Sequence, residues 1–358
     1  MLAVLKQEQF LIVAAAVAFA ALPLEHAILA AGQLPSLVAA LLLVGTILLV
    51  SLRVAHHAEV LAEKVGEPYG TMILTLAAVL VEVVILAIMM THTSSPTLVR
   101  DTIYSAVMLD MNGILGIAAI LGGLRHGEQP YNVDSGNTYI VMILTAMGVS
   151  MIVPEFIPQT HWQAYSVFTI IIMLVLYGMF LRLQTSQHSY FFSYSYAETG
   201  EHGPRHPGSR GQSIVLLITG VVLIGLLAEV MAKTLDEGLA GTGVPPMTAA
   251  LLVAAISASP EILTAVRAAL ANRMQPVVNI ALGASLSTVI LTIPVIETLA
   301  LIQGQPIHMA LTPAQTVMTL LTLVIAAINL HDGETNAIEG MTHFVLFATF
   351  LMLAFLGL

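Results

Sequence analysis

The chain has 358 residues, of which 58% are hydrophobic and 9% charged, with a mean hydropathy of +0.92. Soluble domains carry roughly 25% charged residues, so the composition excludes a soluble enzyme and a disordered protein. Acids number 21 against 11 bases, a net charge of −10 with no basic surface for nucleic acid, and zero cysteines exclude disulfides, thiolate metal sites and a cysteine nucleophile.

A membrane-spanning helix needs about 20 mainly apolar residues. Eleven such stretches follow one another, at 9–31, 37–55, 71–91, 102–123, 138–157, 163–183, 213–232, 246–270, 276–302, 309–329 and 337–357. They lack the alternation of barrel strands. The predicted fold class is therefore all-α, a polytopic membrane protein of eleven transmembrane helices. The 26 Gly and 18 Met suit a packed helical bundle, in which glycine lets helices approach closely. The first stretch has the look of a cleaved leader, with Lys6 ahead of it and Ala18-Phe19-Ala20 within it. It runs on to Ala31, however, which is long for a leader, and it is read here as a helix.

The bases orient the spans, because cytoplasmic segments are enriched in Lys and Arg. With the N-terminus inside, Lys6, Arg53, Lys64, Arg125, Arg182, Arg205, Arg210, Arg267 and Arg273 fall on the cytoplasmic side. Only Arg100 and Lys233 fall outside, and the C-terminus is placed outside as well. The longest connection, 184–212, holds Gly200, Gly203, Pro204, Pro207, Gly208 and Gly211 and reads as a cytoplasmic linker. It separates helices 2–6 from helices 7–11. Five helices per half reverse the direction of the second half, the inverted-repeat plan of many secondary transporters. The expected organisation is an extra N-terminal helix (1–34), a first repeat (35–183), the linker (184–212) and a second repeat (213–358).

Acids inside spans are the most informative residues, since one at the bilayer centre costs at least ~2.5–3.5 kcal/mol. Glu82 stands mid-span in helix 3 and Glu261 within helix 8, each the second helix of its half. Pro260 lacks a helical N–H, which predicts a broken helix and an open backbone carbonyl beside Glu261. Asp110 falls in helix 4, and Ser285 and Ser287 fall at comparable depth in helix 9; Ser257 precedes Glu261. This is an oxygen-only donor set, which suits hard cations such as Ca2+, Na+ or Mg2+. Glu59 and Glu229 lie near span ends, Glu155 reads as a structural helix end, and Glu339 and His343 share a helix face four residues apart. These last two form a candidate secondary proton path, with capping and interhelical bonding as the competing reading.

The segment His57-Ala58-Glu59-Val60-Leu61-Ala62-Glu63-Lys64-Val65-Gly66-Glu67-Pro68-Tyr69-Gly70, running on to Glu82, resembles the first repeat of the cation/proton exchanger (CAX) family. It is most similar to the ChaA-type branch of calcium/sodium:proton antiporters. The resemblance continues through Gly122 to Asn132, Leu181 to His188, Ala228-Glu229, Ser259-Pro260-Glu261 and Asp332 to Gly340, covering nearly the whole chain in order. The family's Gly-Asn-Ala-x-Glu hallmark places its glutamates on Glu82 and Glu261. The Gly and Asn are absent here, since Ala78-Val79-Leu80-Val81 and Ser257-Ala258-Ser259-Pro260 precede the two acids. That departure resembles the ChaA branch and removes amide ligands that would support strict Ca2+ selectivity. The family's long acidic cytoplasmic helix is also missing. Glu198 and Glu201 remain in the linker among His188, His202 and His206, which read as a solvated loop.

The resemblance implies export of Ca2+, Na+ or K+ in exchange for protons. The residues point the same way: desolvation favours the protonated form of a buried carboxylate and an arriving cation favours the ionised form, so proton and metal ion compete for one site. A cation channel through the same acidic path is the main alternative. An embedded enzyme is disfavoured, with no His-Glu-x-x-His or Gly-x-Ser-x-Gly sequence. No cofactor is expected, the partners being inorganic cations, protons and lipid. The ChaA resemblance implies a bacterial inner membrane. Oligomeric state stays open, a homo-oligomer among the options.

Overall fold

In the computed structural model residues 8–66, 69–92, 95–186, 188–192, 194 and 209–358 are described. Glu67, Pro68, Glu198, Glu201, His202 and His206 lie outside the described residues, as do Lys6 and Arg205. The described chain is helical almost throughout. Its principal helices are α1 (Gln9–Ala30), α2 (Gln33–Val65), α3 (Tyr69–His92), α4 (Leu98–His126), α5 (Val133–Phe156), α6 (Trp162–Gln184), α7 (Arg210–Leu239), α8 (Met247–Leu270), α9 (Met274–Gln303), α10 (Pro313–Asn329) and α11 (Ala337–Leu356). Ten of these are long and apolar enough to cross a membrane, and α10, at 17 residues, is the shorter eleventh. The chain is thus a polytopic helical membrane protein, with helices at the eleven predicted places.

Polar residues at the helix starts explain several boundaries. Asn132 accepts from Asp134 N ahead of α5, Ser209 from Gln212 N ahead of α7, and Asn336 from Ile338 N and Glu339 N ahead of α11. Thr312 and Gln315 form a reciprocal capping box at α10, with Pro313 at its first position. Gly32, at φ +95°, makes the turn between α1 and α2 that an L side chain would resist. The second span is longer than expected. α2 runs 33 residues to Val65, so Glu59 stands on the helix itself rather than in a turn before α3.

The helices gather into two compact units, each drawing on both halves of the sequence. One contains the described residues of Met1–Leu98 and Pro204–Pro260. Here α2 packs against α7, α3 and α1, and α7 against α1 and α3. Its core joins Ile47, Val50 and Val54 of α2 to Ile85 of α3, Ile224 and Leu227 of α7 and Val253 of α8. Small residues bring these helices close: a Cβ on Gly238 would stand 2.8 Å from Leu37 Cα, and one on Gly220 2.6 Å from a methyl of Val54.

The second unit contains the described residues of Val99–Gly203 and Glu261–Leu358. α11 packs on α4, and α9 on α5 and α6. The α4–α11 crossing is tight, because Gly116 and Gly340 face each other across it; a Cβ on Gly340 would lie 2.6 Å from Ile120 N and 2.8 Å from Gly116 O. Beyond the helix ends, β1 (Gln129–Pro130) pairs antiparallel with β2 (Glu334–Thr335). Tyr131 is buried beside this ladder. Burial raises its phenol well above the usual range, and Asp332, Glu339 and Glu334 nearby push the same way.

Candidate functional site

In the first unit, Glu82 lies about midway along α3 and is 3% exposed, with Val79, Val81, Ile85 and Leu86 buried around it. Pro260 does not break α8, which runs without interruption from Met247 to Leu270. The carbonyl a proline frees is that of the residue four positions earlier, here Ile256. Ser259 Oγ donates to Ile256 O at 2.9 Å, and Ser51 Oγ of α2 lies 3.4 Å from it. The expected open carbonyl beside Glu261 is therefore corrected: the Ser259 hydroxyl occupies the freed acceptor, while Ser51 Oγ donates to Leu48 O at 3.0 Å on its own helix. Ser257 Oγ turns back to Ala254 O at 3.2 Å. Glu229 bonds Lys233 on its own helix, and Lys233 reaches Glu25 of α1 at 2.9 Å. Glu59 is half-buried on α2.

In the second unit the helices carry π-helical turns, at Leu109–Ile114 in α4, Gly148–Ile152 in α5 and Thr288–Thr292 in α9. Such turns insert a residue into the ladder and recur at functional sites. Asp110, 3% exposed, sits in the first of them. Ser285 Oγ, just before the third, points at Asp110 Oδ2 from 3.4 Å. Asn112, in the same turn as Asp110, donates to Thr322 Oγ1 of α10 at 2.7 Å, and its Oδ1 lies 3.1 Å from His343 Nδ1 of α11. The π turn of α4 thus makes two buried polar contacts, one with α9 through Asp110 and one with α10 and α11 through Asn112. Glu339 bonds Asn336 Nδ2 at 3.1 Å beside the cap of α11. Ser287 Oγ bonds Gly283 O at 2.7 Å. Glu261 is half-buried on α8, where the second unit's share of that helix begins.

The sequence places Asp110 and Ser285 at one depth, and the structure brings them together; nothing local in the sequence points to Thr322 as the partner of Asn112. The structure also buries further acids. Asp101 is buried between Arg100 and Gln315 Nε2, at 2.8 and 3.0 Å. Glu297 is buried in α9 against Thr169 of α6. Glu8, ahead of α1, binds Arg53 at 2.5 Å and His57 at 3.3 Å. Burial opposes ionisation of Glu8, but the hydrogen bonds and charges of Arg53 and His57 prevail and hold its carboxyl below the ordinary range. Glu297 carried the signal that flagged Glu82, an acid inside an apolar run. What pairs it with Thr169 is packing between distant segments.

Among the described residues no group of three or more His, Cys, Asp or Glu gathers as a metal site. Hard cations also accept hydroxyl, amide and carbonyl oxygens, and the carboxylate and hydroxyl of Asp110 and Ser285 belong to that chemistry. Thiolate and imidazole sites of the zinc or copper kind are not assembled among these residues.

The family model described as sodium/calcium exchanger protein matches the chain over residues 35–186 and again over 212–356. The chain is 32% identical over 309 residues to the sodium-potassium/proton antiporter ChaA of Escherichia coli (strain K12), covering 84% of each chain. It is 25% identical over 276 residues to a Ca2+/H+ antiporter of Aphanothece halophytica, covering 72% of this chain and 73% of that one. The solved structure of native YfkE superposes with a TM-score of 0.73 at 17% identity, over 93% of this chain and 99% of that one, a likeness of fold.

Proposed function

From a chain that belongs to the sodium/calcium exchanger protein family, we propose a secondary active antiporter that exchanges cytoplasmic Ca2+, Na+ or K+ for protons. The observation that carries the reading is Glu82, a carboxylic side chain buried mid-helix in α3, with Glu261 about midway along α8. Each stands on the second helix of its half, and the relatives named above are cation/proton antiporters. A proton or a cation neutralises such a group, and water does not. Each occupant displaces the other, which is the requirement for exchange.

Facing the cytoplasm, Glu82 and Glu261 release protons and take the cation. Asp110 and Ser285 supply further oxygens, with Ser257 and Ser287 as donors that must first leave their own helices. Alternating access then turns the loaded site outward, where external protons replace the cation. Two protons leaving two carboxylates for one Ca2+ balance charge. The proposed frame is two inverted five-helix repeats, 35–183 and 213–358, joined by the 184–212 linker, with helix 1–34 added. The distribution of Lys and Arg supports an N-terminus inside and a C-terminus outside, and the bacterial relatives support an inner membrane.

The test is proton movement in proteoliposomes on adding Ca2+, Na+, K+ and Mg2+ separately across pH. Glu82→Gln and Glu261→Gln each abolish cation-dependent proton flux, since glutamine cannot cycle a proton. Full exchange by either variant overturns the competition. Conductance without saturation or proton coupling shows a channel instead.

A further inference from the structure

Glu297 takes no part in the exchange just proposed. It lies in the last part of α9, where that helix packs on α6, and is 3% exposed. Its Oε2 is 2.5 Å from Thr169 Oγ1, and the side chain of Ser166, on the same helix as Thr169, lies near it. The 2.5 Å approach is a direct hydrogen bond, since two oxygens that each hold a hard cation at about 2.3–2.6 Å stand farther apart. Among the described residues, the ion pairs of Glu8, Asp101, Glu25 and Glu229 do not reach Glu297. The titratable group facing it from α6 is Tyr165, whose hydroxyl donates to Val149 O at 2.6 Å.

Burial without a counter-charge sets its state, and the hydrogen bonds fit the neutral form. Thr169 has one hydroxyl proton, yet its Oγ1 also lies 2.9 Å from Ser166 O and 3.2 Å from Tyr165 O. An ionised Glu297 would draw that one proton away from both carbonyls, whereas a neutral acid serves all three contacts at once. A carboxylic acid brings the second proton: Glu297 donates to Thr169, and Thr169 donates to its own helix. An ionised form would be a buried charge with no cation beside it, inside a membrane-spanning helix.

We infer that Glu297 is a proton-binding site separate from Glu82 and Glu261, a neutral acid whose hydrogen bond to Thr169 ties α9 to α6. At high pH the proton leaves, the tie becomes an uncompensated charge, and the α6–α9 packing loosens. The transport consequence rests on the exchange proposed above, whereas the protonation state does not.

Infrared spectroscopy of the reconstituted full chain separates the two. In a Glu82→Gln/Glu261→Gln background, the C=O stretch of a protonated carboxylic acid persists at neutral pH. Adding Glu297→Gln removes that component, and Thr169→Val moves it to the position of a less hydrogen-bonded acid. In the otherwise native chain, Glu297→Gln keeps exchange at neutral pH and carries its alkaline decline upward by about one pH unit or more. If Glu297→Gln removes only a carboxylate band, or Thr169→Val leaves the protonated band unmoved, the inference fails. An unchanged alkaline limit in a variant that has lost the protonated band removes the transport consequence.

Discussion

Ser259 does for Ile256 what an N–H does elsewhere in α8. A buried acceptor left without a donor costs about 1–3 kcal/mol. The Ser51→Ala/Ser259→Ala variant accordingly unfolds earlier in detergent by that amount. Ser259→Ala alone loses less, because Ser51 Oγ, 3.4 Å from the carbonyl, turns its proton there from Leu48 O. Equal stability of the double variant and the native chain contradicts this account. Glu8 makes a second prediction, in acid. Its carboxyl is held below the ordinary value in the folded chain, so the stabilisation is present above about pH 4.3, the unfolded value, and is lost as pH falls through the folded one. The contact joins the start of α1 to Arg53 and His57 of α2. Glu8→Gln should therefore flatten the acid limb of a stability-against-pH curve and leave the neutral limb lower. The residue types were legible in the sequence: Glu82, Asp110 and Pro260 announce themselves in apolar text. Their partners were not. Proline's missing N–H is a local fact, whereas the approach of Ser51 to the freed carbonyl depends on which helix lies alongside.

The helices carry their information in small residues and in irregular turns. Gly116 and Gly340 let α4 and α11 touch by their backbones, and that approach brings His343 to Asn112. Gly340→Ala drives a methyl into Ile120 N and Gly116 O, which are backbone atoms unable to rotate away. Overpacking of this kind costs about 1–3 kcal/mol, and the expected outcome is a lower thermal midpoint together with weakened exchange. Gly178→Ala on α6 is the control. Nothing lies within 4 Å of its Cβ position, so it gains about 0.5–1 kcal/mol of helix preference and keeps activity. If both substitutions behave alike, the crossing is not the cause. Helix existence was readable because a bilayer demands long apolar runs. The π turns at Leu109–Ile114 and Thr288–Thr292 were not readable, since an extra residue in a turn leaves composition unchanged. The 33-residue length of α2 was hidden by the polar content of its end, where Arg53, His56, His57, Glu59, Glu63 and Lys64 continue the helix beyond the apolar stretch.

At the scale of the whole chain, the eleven spans could be read from hydropathy. The two compact units could not. Met1–Leu98 belongs with Pro204–Pro260 because of meetings such as Gly220 with Val54 and Gly238 with Leu37, which no local pattern reports. A chain cut between Ala197 and Glu198 tests this pairing. Each fragment alone lacks part of both units and should fail to accumulate. Coexpressed fragments should restore a stable, exchanging protein, as judged by copurification and proton flux. Accumulation of one fragment alone as a folded species would argue against interleaving.

The same interleaving sets a timetable for biogenesis. Ribosomes deliver about 5–20 residues per second, N-terminal segments first. The first four helices therefore enter the bilayer before α7, against which α2 and α3 pack, has been translated. During that interval the carboxylate of Glu82 must wait beside the insertion machinery or lipid, and the second unit's opening segment arrives between the two pieces of the first. Late partnering of early helices makes the nascent chain vulnerable to membrane proteases in the middle of its synthesis rather than at its end.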